Sequence, residues 1–557
     1  MGRSSNGATA VLLGLFLVLA SSGCSGRGAA PPAHVDRVQL SLSLEPETHI
    51  LDGAAKLEVA GSIPDTLYLV LHRDLKVRAL AVTDVQGANL QRVGEGAAIA
   101  DRLKRLGETV EKDSDVEHLA LYALSLPAPR DSLEFELSYR GVVYDSVRIP
   151  SFSRMQIADE TSGLIDSRGA FLTPWTGYYP RLAGDASLAR FTTTVEVPPE
   201  WAAIAEGNII ERGERTVTFD SAHPLDGTYL VAGPYVVTSR QAGDVEVSTY
   251  FYHGSESLAP RYLAATAGYV TRYSDLFGPY AFERFSVVEN WFPTGYGMPS
   301  YTLLGSQVIR LPFIIGTSLG HEVCHNWWGN GVLVDYKSGN WCEGLTVYCA
   351  DYLYKTDKGP EAARSYRMNT LRGYADYVVR GDENDMALRD FTERTTPGTR
   401  TIGYGKAMMV FHMLHKRVGD EKFWEGLRTL YGQRKFTVTA WSDIFGIFSR
   451  IAGESFGWYE RQWIDRAGAP QLVLQHPEVT RRGEENIVEF DLSQVQEGDP
   501  YRLDIPVRVT TVEGDTIERT LRDVRGRMYH ARIQVPGTPD RLEVDPGFDV
   551  FRVLAPE

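Results

Sequence analysis

Two histidines one helical turn apart, with a glutamate beside the first, stand in the stretch GHEVCHNWWGN, Gly320–Asn330. On a helix, residues four apart project from the same face roughly 6 Å apart. His321 and His325 can therefore both turn an imidazole nitrogen to one metal ion, at the roughly 2.0–2.1 Å that zinc takes. Glu322 sits where a carboxylate can accept a proton from water activated by such an ion. The competing reading is an ordinary helix surface on which two histidines happen to fall. Histidine is scarce here, twelve in 557 residues, so the spacing favours the metal. The chemistry it points to is metal-assisted hydrolysis.

A metal helix needs a scaffold, and the surrounding chain supplies three kinds of text. From Val35 to about Arg240, short alternating pieces such as VQLSLSLEPE, KLEVAGSI and RFTTTVEVP are separated by Gly, Pro and Asp turns, the pattern of strands. After Asp244 helical spacing takes over, with SLAPRYLAATAGYVTRYSDLFG closing on Gly278 and later EGLTVYCADYLYK, GKAMMVFHMLHKRVG and EKFWEGLRTLYG. The segment DRAGAPQL breaks that pattern, and short strands such as IVEFDLSQ and LDIPVRVTTVEG come after it. The expectation is a multidomain α+β protein: an N-terminal antiparallel β domain over 35–243, an α-rich domain over 244–466 and a small C-terminal β-sandwich over 467–557.

Residues 1–34 read differently. Arg3 precedes thirteen largely apolar residues, ATAVLLGLFLVLA, too few to span a bilayer and suited to a signal-peptide core. SSGC comes next, which resembles a bacterial lipobox with Cys24 as the lipidated residue, although Ser21 stands where that pattern prefers leucine. SGRGAAPPA then reads as a tether. An exported chain of the bacterial cell envelope, lipid-anchored at the outer membrane or periplasmic face, is the expectation. Secretion with cleavage nearby is the plainer alternative. The formal net charge of −15 argues against nucleic acid or an anionic membrane surface as a partner. Only Cys324, Cys342 and Cys349 remain after Cys24, and an odd number makes no disulfide framework. Buried free thiols are expected, with Cys324–Cys342 the pair that could form if their segments meet.

The chain beyond the second histidine narrows the chemistry. NWCEGLTVYCADYLY opens a new helix with Glu343 and Gly344, and a glutamate there is the gluzincin arrangement. It resembles most closely the NEG helix of the membrane alanyl aminopeptidase family. HNWWGN is similar to that family's stretch after the second histidine, and TIGYGKAMMVFHML to its Y-x-K-G helix, 61 residues beyond Glu343. GYYPRLAGDASLARFTTTVEVP, GTYLVAGPYVV and QWIDRAGAPQL resemble further family segments in the family's order. The resemblance runs from about residue 35 to the C-terminus, without the large helical domain that closes longer members. One spacing departs. Asn326–Cys342 is one residue shorter than usual, which the polar turn DYKSGN can absorb. Asp335 is the bland alternative ligand.

The resemblance implies a thermolysin-like α-rich catalytic domain holding one zinc per chain on His321, His325 and Glu343. It implies Glu322 as general base, Tyr404 as donor to the tetrahedral oxyanion, and Gly297 and Met298 on an edge strand that pairs with peptide substrate. Tyr296 and Tyr301 either line the pocket or pack the core. The family motif GAMEN places a glutamate where it holds the substrate's free α-ammonium. Here YGMPS puts Pro299 and Ser300 at those positions, and Glu289 in VVENW is the nearest acid that could replace the clamp. Aminopeptidase action is the first expectation. An endopeptidase not requiring a free N-terminus is the second. An inactive binding scaffold and epoxide hydrolysis, known in one family branch, stand behind them. The intact metal set, base and tyrosine count against a scaffold, which would not require them.

Overall fold

The computed structural model describes residues 31–147, 161–293, 295–381, 384–482 and 485–554. They fall into two compact units. One runs to Thr271 and includes Tyr280–Asn326; the other takes Arg272–Pro279 and everything from Trp327 on. This division falls inside the residues expected as one α-rich domain.

The first unit is built on strands whose alternation the chain dictates. In His34–Glu45, Val38, Leu40, Leu42 and Leu44 are buried and the residues between them face outward. This strand joins a seven-stranded sheet in which Ile50–Ile63 and Arg130–Val142 come next in antiparallel register. On its other side His34–Glu45 pairs with Arg190–Glu196 in parallel, so the sheet is mixed where an all-antiparallel one was expected. A second, five-stranded sheet runs Tyr235–Ala242, Val245–Tyr252, Arg284–Asn290, Tyr301–Gly305, Gly295–Met298. Val245–Tyr252 and Arg284–Asn290 are parallel and need a long crossover, which the helix Ala259–Phe277 supplies. Gly295–Met298 is an outer strand, antiparallel to Tyr301–Gly305.

The second unit is helical until Trp463 and then β. Three of its helices contain a π turn, at Tyr348–Tyr352, Ala375–Val379 and Thr401–Lys406. Lys406, wholly buried, extends its ammonium to the carbonyls of Arg466 and Gly468 at 3.0 and 3.3 Å. That bond pins the segment where helical text gives way to strands. Beyond it, Leu472–Arg482, Glu485–Gln494 and Met528–Val535 form one sheet, and Thr516–Val524, Leu503–Thr511 and Pro539–Val544 another. Alternating Leu503, Ile505, Val507 and Val509 are buried in one, and Val488, Phe490 and Leu492 in the other, as a sandwich requires. Among the described residues no helix is long and apolar enough to cross a membrane.

Candidate metal centre

The helix Ser318–Cys324 carries the two histidines, with His325 capping its end and donating its backbone N–H to the His321 carbonyl at 3.1 Å. One turn of separation places the two rings edge to face, with centroids 4.8 Å apart and Nε2 atoms 3.1 Å apart. Two nitrogens held by one tetrahedral ion at about 2.05 Å lie roughly 3.3 Å apart, so the rings already stand at the spacing of ligands. Eighteen residues on, Glu343 lies in the first turn of Cys342–Val347. Ligand atoms of His321, His325 and Glu343 lie within 4.8 Å of one another, the one such group of three among the described residues. Two imidazoles and a carboxylate suit zinc. Asp335 is engaged elsewhere: its carboxylate accepts the Lys337 N–H at 3.2 Å and caps a short turn. Cys324, Cys342 and Cys349 are buried free thiols, and burial pushes the Cys349 thiol well up.

Gly344 explains how the third residue is held. A Cβ at that position would come within 2.2 Å of the Ala407 Cβ and 2.9 Å of its carbonyl carbon. Only glycine lets this helix approach Ala407–Val418 so closely. That second helix begins in the π turn Thr401–Lys406, which packs on Cys342–Val347 and carries Tyr404. The Tyr404 hydroxyl hydrogen-bonds the Glu343 carboxylate. Burial first, and the Glu343 charge second, hold its pKa well above that of a free tyrosine, while the Arg394 guanidinium, 5.7 Å from the ring centre, pulls the other way. Tyr404 thus keeps its proton and is a donor.

The outer strand Gly295–Met298 runs beside the helix that carries the histidines. A Cβ on Gly297 would lie 2.6 Å from the Glu322 Oε2 and 3.7 Å from the His325 Cβ, so strand backbone and the Glu322 carboxylate lie close against each other. Met298 points the other way, as strand alternation demands, and is buried with Phe171, Phe292 and Tyr301. It anchors the strand while Gly297 presents it. Tyr301 is wholly buried, its hydroxyl donating to Glu206 at 3.3 Å, and is core.

Glu289 does not take the role expected of it. Its side chain is 1% exposed, and its carboxylate accepts from the Tyr252 N–H at 2.9 Å, the Ser255 hydroxyl at 3.0 Å and the Arg310 guanidinium at 3.3 Å. A carboxylate so enclosed is a structural anchor and has no room for a substrate ammonium. Cys24 lies outside the described residues. Two features escape sequence reasoning. The π turn under Tyr404 has no compositional signal. The role of Asn326 is concealed within the HNWWGN stretch: its Oδ1 accepts from the Ser300 N–H at 2.8 Å and the Tyr280 hydroxyl at 3.0 Å.

Residues 315–463 match the peptidase family M1 domain. The chain is 25% identical to aminopeptidase N of Escherichia coli over 323 residues, 52% of this chain and 36% of that protein. It is 22% identical to aminopeptidase N of Streptomyces lividans over 335 residues, 55% of this chain and 38% of that one. The chain thus spans well under half the length of these relatives. Among solved structures, an M1 zinc metallopeptidase mutant of Deinococcus radiodurans superposes with a TM-score of 0.56 at 19% identity, covering 79% of this chain and 96% of that one. The same enzyme bound to a Tyr-Ser-Ala substrate gives 0.53 at 18% identity, covering 78% and 94%. These structures share the fold: a β-rich N-terminal part, a helical part and a C-terminal β part.

Proposed function

From a chain that carries a peptidase family M1 domain, we propose a zinc-dependent peptidase acting as an aminopeptidase, one zinc per chain. The observation that carries this reading is the convergence of His321, His325 and Glu343, with Glu322 against the edge strand and the Tyr404 hydroxyl on Glu343. When bound, zinc polarises a scissile carbonyl and lowers the pKa of water. The residues of the chain do the rest. The backbone of Gly295–Met298 aligns an extended peptide. Glu322 takes a proton onto its carboxylate and later delivers it to the leaving amine. Tyr404, kept protonated by burial, donates a hydrogen bond to the oxygen where negative charge grows.

A second reading, cleavage without need of a free N-terminus, is favoured by one observation. Pro299 stands where the GAMEN motif of the family this stretch resembles has its glutamate, and Glu289 is engaged with Ser255, Tyr252 and Arg310. An ammonium–carboxylate bond contributes about 1.5–3 kcal/mol, so its loss weakens preference for free N-termini roughly ten- to a hundredfold. Comparing one peptide with and without an N-acetyl group decides between them. We expect the blocked peptide to be cut at a rate within about a hundredfold of the free one. A blocked peptide left wholly intact means an ammonium clamp operates.

We also infer export and lipid anchoring at Cys24, supported by the apolar run Ala8–Ala20 and the SSGC directly after it. The mature chain is then expected to begin at Cys24 and to partition into detergent. A detergent-free mature protein starting elsewhere reduces Cys24 to part of a discarded leader.

A further inference from the structure

The turn that ends the edge strand is held in an unusual way. Ser300 has φ +71°, the left-handed region that a residue with a Cβ rarely adopts, and it is wholly buried. Its neighbour Pro299 has no N–H to contribute. The Ser300 peptide is instead fixed from both ends. Its carbonyl accepts the Ser286 N–H at 3.0 Å, and its N–H donates to the Asn326 Oδ1 at 2.8 Å. The Tyr280 hydroxyl donates to the same oxygen at 3.0 Å. Asn326 is itself wholly buried, adjoins His325, and is tied to the metal helix by its N–H to the Val323 carbonyl at 3.1 Å.

We propose that Asn326 is a positioning residue that clamps the Met298–Tyr301 turn to the metal helix and so sets where a peptide substrate lies against Glu322. This rests on the peptidase reading above. One side chain ties together the helix that bears the base and the turn that ends the substrate strand. The contact it maintains is the tight one at Gly297, where strand backbone and the Glu322 carboxylate meet. Without the clamp, a buried N–H loses its acceptor, Ser300 loses its reason to stay left-handed, and the strand relaxes away from the base. The Asn326 side chain bonds the Ser300 N–H, the Tyr280 hydroxyl and the Glu322 main-chain carbonyl and is outside the group of three ligand residues, so its loss acts on binding of extended peptides before it acts on the chemical step.

The test compares a hexapeptide, which can pair along the strand, with an aminoacyl anilide, which has no backbone beyond the scissile bond. Asn326→Ala is expected to raise KM for the hexapeptide roughly tenfold, the loss of about one buried hydrogen bond. Metal content by elemental analysis, and KM for the anilide, are expected to stay within about threefold. Adding Ser300→Gly, which adopts positive φ freely, is expected to recover most of the loss. Equal impairment on both substrates, loss of zinc, or a double variant as impaired as the single one overturns the proposal. Hydrogen exchange of the Ser300 amide in the unaltered chain, read by fragmentation mass spectrometry, is an independent arm. Protection like that of the helix Ser318–Cys324 is expected, and exchange at loop rates overturns the clamp whether or not the variants fold. An unaltered chain that cuts no peptide sinks the peptidase reading, and the exchange measurement still decides the clamp.

Discussion

On the proposed peptidase reading, Tyr404 and Glu322 divide the proton work by environment. A tyrosine whose pKa is raised by burial and by a neighbouring carboxylate donates a hydrogen bond at any pH the protein meets. Glu322 lies half-buried on the helix Ser318–Cys324 against strand backbone, where it can receive a proton. Glu322→Gln is therefore expected to keep one zinc per chain by elemental analysis and to lose turnover, because an amide accepts no proton. Tyr404→Phe is expected to lower kcat by roughly 10²–10³ with little change in KM; unchanged turnover would mean that another group serves the oxyanion. The metal set was legible in the chain because it is local, with spacing and ligand type both written within 23 residues, His321–Glu343. Glu289 was misread for the opposite reason. Its partners Ser255 and Arg310 lie 34 and 21 residues away, and no pattern in VVENW announces them.

At the scale of elements, the approach of two helices at Gly344 sets the distance from Glu343 to Tyr404. Gly344→Ala would push a Cβ into Ala407, a clash of main chain that side-chain adjustment cannot relieve. The expected cost is about 1–3 kcal/mol, from overpacking of a close contact. Both the melting temperature and zinc affinity should fall together. A variant that melts earlier with undiminished zinc affinity would separate packing from ligand placement. The strands of the first unit were legible from alternation, as Val38, Leu40, Leu42 and Leu44 show. The parallel pairing of His34–Glu45 with Arg190–Glu196 was not, since alternation names the buried face and leaves the neighbour open. The π turns were equally invisible. An extra residue in a helix turn leaves composition untouched and shifts only the phase of the residues beyond it.

Across the whole molecule, ties between distant residues govern how it responds to its surroundings. His412, buried on Ala407–Val418, bonds through Nε2 to the Asp549 carboxylate at 2.8 Å, 137 residues away, and secures the chain's last described stretch to the helices. Burial, outweighing the Asp549 bond, pulls its pKa down to about 4 from an ordinary 6.5. The folded state thus binds this proton less readily than the unfolded one, so stability is lost as pH falls from about 6.5 toward 4. Between pH 7 and pH 5 the loss attributable to His412 is about 2 kcal/mol. Thermal unfolding at both values should show His412→Gln less sensitive to acid than the unaltered chain, and equal sensitivity would assign the acid response to other groups. The edge strand Gly295–Met298 has its own consequence at this scale. A strand with an open side is a template for any extended chain, including another copy of this one. Here it is four residues long and ends in Pro299, which cannot extend a hydrogen-bonded ladder. An edge of four residues gives a second copy little backbone to pair with.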